Sequence, residues 1–216
     1  VPAMPSIAVL PFVDMSQDKD QEYFSDGLSE ELLNLLAQLP QLRVIARTSS
    51  FSFKGKEADV ATIAKALNVE HILEGSVRKS GNTLRITAQL IRVSDSSHLW
   101  SQTYDRQMTD VFAVQDEIAK AVVDALKVKL LPDQALVNHT RSNNPEAYTQ
   151  YLIGNQFFNL GNPENWERAR AAYERAIALD PDYGAAYAGL AATRYHLADS
   201  LGASKQDALV AADTAV

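Results

Sequence analysis

The feature that most constrains this chain is a change in the spacing of its apolar residues near residue 133. Before that point, short apolar runs typical of strands alternate with stretches at helical spacing, and after it only helical spacing is found. The sequence therefore predicts two domains. An α/β domain covers residues 4–133, a polar linker covers 134–146, and an all-α domain covers 147–216.

The first domain is predicted to contain five strands and three helices in the order β-α-β-α-β-β-β-α. Residues 14–23 are polar and predict a loop. Strands joined through helices favour parallel pairing, whereas the Lys79-Ser80-Gly81-Asn82 turn predicts an antiparallel hairpin. We therefore expect a mixed sheet of the α+β or α/β class, ending in a three-stranded antiparallel meander. The predicted elements are residues 7–12, 28–39, 43–47, 60–67, 71–78, 84–93, 98–104 and 111–130.

Side chains alternate along the predicted strand 84–93. Leu84, Ile86 and Leu90 share one face, and Arg85 and Gln89 lie on the other together with Thr87. One face of the sheet should therefore be buried. We expect the polar face to point towards water.

The second domain follows the residue order of a tetratricopeptide repeat, with Gly154, Tyr173 and Pro181 at characteristic positions. A second, truncated copy is predicted from Tyr187, with an unfinished partner helix marked by alanines up to Ala215. Such repeats bind peptides on the face formed by their first helices. We therefore expect a protein or peptide partner there, and an alternative is that Tyr148 and Phe158 pack on the α/β domain. The predicted partner-binding residues are Tyr148, Tyr151, Asn155, Phe158, Ala188 and Tyr195.

The segment 49–56 is the candidate ligand loop of the first domain. It follows a predicted strand and combines hydroxyl, aromatic and basic side chains, and loops in that position often hold ligands in α/β sheets. An anionic ligand is one interpretation. The alternative is that Phe51 and Phe53 fix the loop to the core while its charges face water. The candidate ligand residues are Arg47, Ser49, Ser50 and Lys54.

Composition and motifs exclude several classes of function. The net charge of −7 and pI near 5.1 argue against nucleic-acid binding, and the absence of cysteine excludes disulfides and thiolate chemistry. The four histidines form no zinc-ligand pair, and neither a nucleophile-elbow motif nor a phosphate-binding loop occurs. We therefore predict no catalytic residue, no metal site and no cofactor.

The first domain resembles the TolB-like amino-terminal domain of large bacterial signalling proteins. The residues that carry this resemblance extend across the domain in short motifs. They are Ile7-Ala8-Val9-Leu10-Pro11-Phe12, Glu22-Tyr23-Phe24-Ser25-Asp26-Gly27, Val44-Ile45-Ala46-Arg47 with Ser50-Phe51, Lys54-Gly55, Leu73-Glu74-Gly75-Ser76-Val77-Arg78 and His98-Leu99-Trp100.

The resemblance implies an upstream effector, either a winged-helix domain or a nucleotide cyclase, often with one membrane-spanning helix in between. It also implies tetratricopeptide repeats downstream, and it slightly favours a periplasmic over a cytoplasmic location. Val1 is not methionine and residues 207–216 stop within a helical pattern, so we expect a segment of a longer protein. The resulting hypothesis is a non-enzymatic sensor or adaptor whose α/β domain also mediates self-association. The alternative is a protein-interaction scaffold of the cell envelope.

Overall fold

The structure is a computed structural model, and it describes residues 4–18, 21–126, 142, 144–200, 202, 210 and 213. The chain divides into two compact units, Val1–Val137 and Asn138–Val216. Within the described residues, no helix is both long enough and apolar enough to cross a lipid bilayer.

In its described residues, the first unit contains six strands and four helices. Its strands form one mixed sheet with the order β3-β1-β4-β5-β6, and β2 pairs with β4 beyond the end of β1. The elements are β1 (Ser6–Val9), β2 (Val13–Asp14), α1 (Glu22–Ala37), β3 (Arg43–Val44), α2 (Arg47–Phe51), α3 (Val60–Leu67), β4 (His71–Ser80), β5 (Thr83–Arg92), β6 (Ser97–Gln107) and α4 (Val111–Ala125), with a 3-10 turn (Met108–Asp110) before α4.

The pairing confirms the predicted mixed sheet. β1 runs parallel to both β3 and β4, while β4, β5 and β6 form the antiparallel meander. The hairpin between β4 and β5 turns at Gly81, whose φ of 60° lies in the left-handed region that glycine adopts without strain. β2 was not predicted, because two residues are too few to produce an alternating pattern.

Helices cover both faces of the sheet. On one face α1 and α4 contact each other, and α1 buries Phe24, Leu28 and Leu32 without solvent exposure. On the other face α3 packs Ile63 and Ala64 into a smaller apolar cluster. Asp59 caps α3 by accepting a hydrogen bond of 2.7 Å from the Thr62 amide, which fixes where that helix begins.

The second unit consists of consecutive helices in the described residues, α5 (Pro145–Leu160), α6 (Pro163–Leu179) and α7 (Gly184–Ser200). Asn144 and Asn162 cap α5 and α6 through their side-chain oxygens, and each of these helices begins with proline. α6 contacts both of its neighbours, so the unit is built from helical hairpins.

Close packing in this unit centres on Tyr173 of α6, which is only 1% exposed. A Cβ atom placed on Gly154 of α5 or on Gly189 of α7 would lie 2.6 Å from the Tyr173 ring. The Tyr173 hydroxyl donates a 2.7 Å hydrogen bond to Asn155 Oδ1. The two glycines therefore allow both neighbouring helices to approach the same ring.

Several predicted segments differ from the structure or fall outside the residues it describes. Arg47–Phe51 is a short helix, whereas Arg47 was predicted to end a strand and residues 49–51 to belong to a loop, and α1 begins at Glu22 inside the segment predicted as a loop. α4 is described to Ala125, and most of the predicted linker and the alanines marking a later helix, Ala208, Ala212 and Ala215, lie outside the described residues.

Candidate functional site

A cavity in the described part of the α/β unit has a volume of about 1100 Å³. Three parts of the chain form most of its lining. These are the segment 10–15, which contains β2, the segment 53–58 between α2 and α3, and the polar face of β4 and β5, and Glu22 of α1 and Ile63 of α3 also line it. The polar face contributes Glu74, Ser76, Thr87 and Gln89.

The sheet topology explains why a cavity forms at this place. From β1 the chain moves through α1 to β3 on one side, and then through α2 and α3 to β4 on the other side. The two connections leave the carboxyl ends of adjacent parallel strands in opposite directions and separate there. In open α/β sheets, this topological switch point is where ligands bind.

A local irregularity in the sheet shapes the cavity further. Val9 pairs with Leu73 and Val13 pairs with Ser76, so one extra residue is inserted on the β1–β2 side. Such bulges bend a strand and redirect its side chains. Here Phe12 turns into the core, where a Cβ on Gly75 would lie 2.5 Å from its ring. Gly75 is therefore needed for this packing.

The acidic residues of α1 neutralise the basic residues of the α2 region. Lys54 Nζ lies 2.7 Å from Glu22 Oε1 and 2.6 Å from Asp26 Oδ2. One helical turn further along, Arg47 Nε donates to Glu30 Oε2 at 2.9 Å. The spacing of four residues places the three acids along one side of α1, opposite the two bases.

Ionisation of the Lys54 cluster is perturbed by burial and by hydrogen bonding. Burial raises the pKa of Asp26 above 3.8, although the Lys54 ammonium acts in the opposite direction. Burial also lowers the pKa of Lys54, but hydrogen bonds to Asp26 and Glu22 outweigh it, so the pKa lies above 10.5. The Lys54 ammonium is therefore held between the Asp26 and Glu22 carboxylates.

The four residues predicted as a ligand loop do not form one site. Only Lys54 lines the cavity. Arg47 covers the Phe51 ring at 4.0 Å and pairs with α1, Ser49 is exposed, and the Ser50 side chain is fully buried. The Ser50 hydroxyl has no hydrogen-bond partner among the described residues.

These ion pairs bear on the interpretation of the segment as an anion site. Both predicted cations, Arg47 and Lys54, already have carboxylate partners on α1. Phe53 packs against the α3 cluster, in agreement with the alternative that aromatic residues fix this segment to the core. The partner acids could not be identified from the sequence because they lie 17 to 32 residues away.

The polar sheet face is divided between two environments. Arg85 is exposed and forms two hydrogen bonds with Asp105 across the β5–β6 pair, at 2.7 and 2.9 Å. Thr87 and Gln89 instead line the cavity and are half-buried. Arg85 therefore faces water as expected, whereas Thr87 and Gln89 form part of the floor of the cavity. The order of the parallel strands was the signal that could have indicated a cavity at this place.

The residues predicted to bind a partner are engaged within the helical unit. Tyr148 is 1% exposed, so it is not part of a surface. The Tyr151 ring lies 5.1 Å from the Tyr183 ring, and Asn155 accepts the hydrogen bond from Tyr173. These contacts make much of the predicted peptide face a packing surface between helices.

A cluster of four aromatic side chains connects α5, α6 and α7. His196 stacks on Trp166 at 5.1 Å and meets the edges of Phe158 at 5.4 Å and Tyr195 at 5.7 Å. All four side chains remain half-exposed. Of the predicted partner-binding residues, Phe158 and Tyr195 therefore lie together in this cluster. Tyr148 is buried and does not belong to it.

In the described residues, no cluster of three histidine, aspartate or glutamate side chains is positioned to hold a metal ion. The charged residues that line the cavity are Asp14, Glu22, Lys54, Lys56 and Glu74. What this arrangement offers is recognition by charge, hydrogen bonding and apolar contact.

Comparison with known proteins identifies the first unit. Residues 3–121 match the family model of the second domain of HilA/YgeH-like transcriptional regulators. A Rhizobium meliloti (strain 1021) protein named "Putative adenylate cyclase 3" is 42% identical over 191 residues. These residues make up 88% of this chain and 32% of that protein, so the chain spans about a third of its relative.

Similarity to solved structures is loose. TolB from Acinetobacter baumannii is 15% identical, with a TM-score of 0.44 over 57% of this chain and 28% of that one. The LpoB carboxy-terminal domain from Salmonella enterica is 17% identical, with a TM-score of 0.40 over 50% of this chain and 85% of that one. Likeness at this level carries no information about function. The structural similarity to TolB is therefore weak. The sequence match over residues 3–121 shows that the chain belongs to the family of HilA/YgeH-like transcriptional regulator second domains.

Proposed function

We propose that this chain is a non-enzymatic sensor or adaptor segment of a bacterial signalling protein. It recognises a protein or a small ligand and passes the effect to an effector domain located elsewhere in the same polypeptide. The α/β unit and the helical unit contribute separately to this role, the first through its cavity and the second through its helical hairpins.

The observation that carries the proposal is the variety of proteins in which this module occurs. The family match is to the second domain of transcriptional regulators, whereas the relative from Rhizobium is named as a cyclase and matches over only 32% of its length. A module associated with two different kinds of output is best explained by a function common to both. Regulation of the output is such a function, whereas catalysis of one of them is not.

Packing in the helical unit supports the proposal that its hairpins are tetratricopeptide repeats. Gly154 of α5 and Gly189 of α7 both face Tyr173 of the intervening helix. Small residues that let a neighbouring aromatic side chain approach are the hallmark of this repeat. Peptide binding by such repeats uses the first helix of each hairpin, which here means α5 and α7.

The half-exposed aromatic group supports a partner site on these helices. Phe158 and Tyr195 lie with Trp166 around His196, so they offer apolar area with polar edges. Aromatic residues of this kind are enriched at the centres of protein interfaces. We therefore retain Phe158 and Tyr195, together with the half-buried Tyr151 and Asn155, as the proposed partner-binding residues.

The proposal is tested in the Rhizobium relative. The alignment of 191 residues at 42% identity identifies the segment of that protein that this chain can replace. Three proteins are compared for cyclic-AMP formation in cells and for protein level. They are the natural relative, a variant lacking the aligned segment, and a chimera carrying this chain in its place. We expect deletion to change the output per molecule and the chimera to restore it. Equal output from all three would refute a regulatory role and would favour an interaction scaffold.

A further inference from the structure

We infer that the cavity of the α/β unit binds a small organic cation, an ammonium or guanidinium group on an apolar body, with Glu74 as the counter-ion. This inference rests on the proposed sensor function and names the class of ligand that the sensor receives. Four features of the cavity support it.

The first feature is the state of Glu74. This residue lies on β4, opposite Gln89 of β5, and forms part of the cavity floor. Its side chain is half-buried, and no described residue gives its carboxylate a hydrogen bond or an ion pair. A partly desolvated carboxylate gains most from a charge-assisted contact, since water no longer surrounds it fully. A cationic ligand would supply that contact.

The second feature is that the strongest anion-binding groups near the cavity are already occupied. Lys54 is held between Glu22 and Asp26. The amino end of α1 would attract an anion through its dipole, but Asp14 Oδ2 already accepts the Gln21 amide there, at 2.8 Å. A phosphate or nucleotide would have to displace carboxylates that belong to the protein.

The third feature is the sum of charges in the lining. Three carboxylates and two ammonium groups line the cavity, so its formal net charge is −1. Lys56 is the cation left without a carboxylate partner among the described residues, and it is exposed at the solvent side. The field inside the cavity therefore favours a positive ligand over a negative one.

The fourth feature is an apolar corner that can receive the body of the ligand. Leu10, Phe53 and Ile63 line the cavity and also pack in the α3 cluster. The Lys56 ammonium lies 5.8 Å from the Phe53 ring centroid, so this ring already presents a face to a cation. About 1100 Å³ is ample for a small amine and lies near the upper end of ordinary ligand cavities.

Isothermal titration calorimetry on the 216-residue chain tests the inference with probes of similar shape and different charge. The cations are phenethylammonium and phenylethylguanidinium, the neutral probe is 2-phenylethanol, and the anion is 3-phenylpropionate. We expect a cation to bind and the other two probes to bind more weakly or not at all. Preference for the anion or the neutral probe would overturn the inference, as would absence of binding by both cations at millimolar concentrations.

Three variants separate a specific counter-ion from general attraction. Glu74→Gln keeps the size of the side chain and should weaken cation binding about tenfold or more, because it removes a charged hydrogen-bond acceptor. Lys56→Ala removes a competing positive charge and should strengthen it. Glu57→Gln is the control, since Glu57 is exposed and outside the lining, and it should leave affinity unchanged.

Circular dichroism of each variant first establishes that it is folded. Equal affinity in Glu74→Gln and in the natural chain would overturn the assignment of Glu74. Weaker cation binding in Lys56→Ala would contradict the inferred charge preference, because removal of a competing positive charge should favour a cation. Failure of these binding measurements leaves the chimera experiment unaffected, so the ligand class and the proposed regulatory function can be refuted separately.

Discussion

Replacement of Gly154 by alanine should destabilise the helical unit through a clash with Tyr173. The added Cβ would lie 2.6 Å from the ring, whereas carbon atoms in contact are normally about 3.5–4.0 Å apart. The ring cannot retreat, because Gly189 brings α7 equally close and the Tyr173 hydroxyl is bonded to Asn155. One of the helices must therefore move.

The expected size of the effect combines two opposing contributions. Overpacking of a well-filled site costs about 1–3 kcal/mol, while alanine stabilises a helix interior by about 1 kcal/mol relative to glycine. We expect Gly154→Ala to lower the free energy of unfolding by about 1 kcal/mol. In a Tyr173→Leu background the clash is relieved, and the same change should raise it by up to about 1 kcal/mol.

The assay is urea unfolding followed by Trp166 fluorescence. Trp100 is the only other tryptophan and belongs to β6, so a Trp100→Phe background makes the signal specific to the helical unit. Gly184→Ala is the matched control, since a Cβ there meets no atom within 4 Å. The reasoning is refuted if Gly154→Ala changes the free energy of unfolding by the same amount, with the same sign, in the natural and Tyr173→Leu backgrounds.

Three further predictions concern single contacts. Gly75→Ala should cost the α/β unit about 3 kcal/mol in Trp100-monitored urea unfolding, because its Cβ would meet the Thr87 carbonyl oxygen at 2.2 Å; an unchanged midpoint would contradict this. Burial raises the pKa of Asp26, so between pH 3.8 and its raised pKa the folded chain binds more protons and stability falls as pH rises; Asp26→Asn should flatten that slope. Asn155→Ala should cost about 1 kcal/mol, and it should cost less when Tyr173→Phe has already removed the hydroxyl.

Local signals explain how much of the fold could be predicted. The Lys79-Ser80-Gly81-Asn82 turn and the alternation after it define the β4–β5 hairpin with no reference to the rest of the chain. Helical spacing of leucines likewise predicted α1, although α1 begins earlier, at Glu22. These features depend on neighbours a few residues apart, which a single sequence contains.

The site depends on distant neighbours, and for that reason it was predicted only in part. The position of the ligand segment after a strand drew attention to Lys54, which lines the cavity, but the pairing of Lys54 with Glu22 and Asp26 had no local signal in the sequence. Glu74 gave no local signal, because a single glutamate in a strand has no distinctive pattern. Its importance appears only when the switch point brings β4 beside the segment 53–58.

The central claim is that this chain controls an output made elsewhere, and one measurement tests it most directly. Cyclic-AMP formation per molecule is compared between the Rhizobium chimera carrying the natural chain and the same chimera carrying Gly75→Ala, which perturbs the α/β unit at its sheet. The account predicts that output changes while the chimera remains present at an equal level. Identical output from both chimeras would show that the effector operates independently of this module.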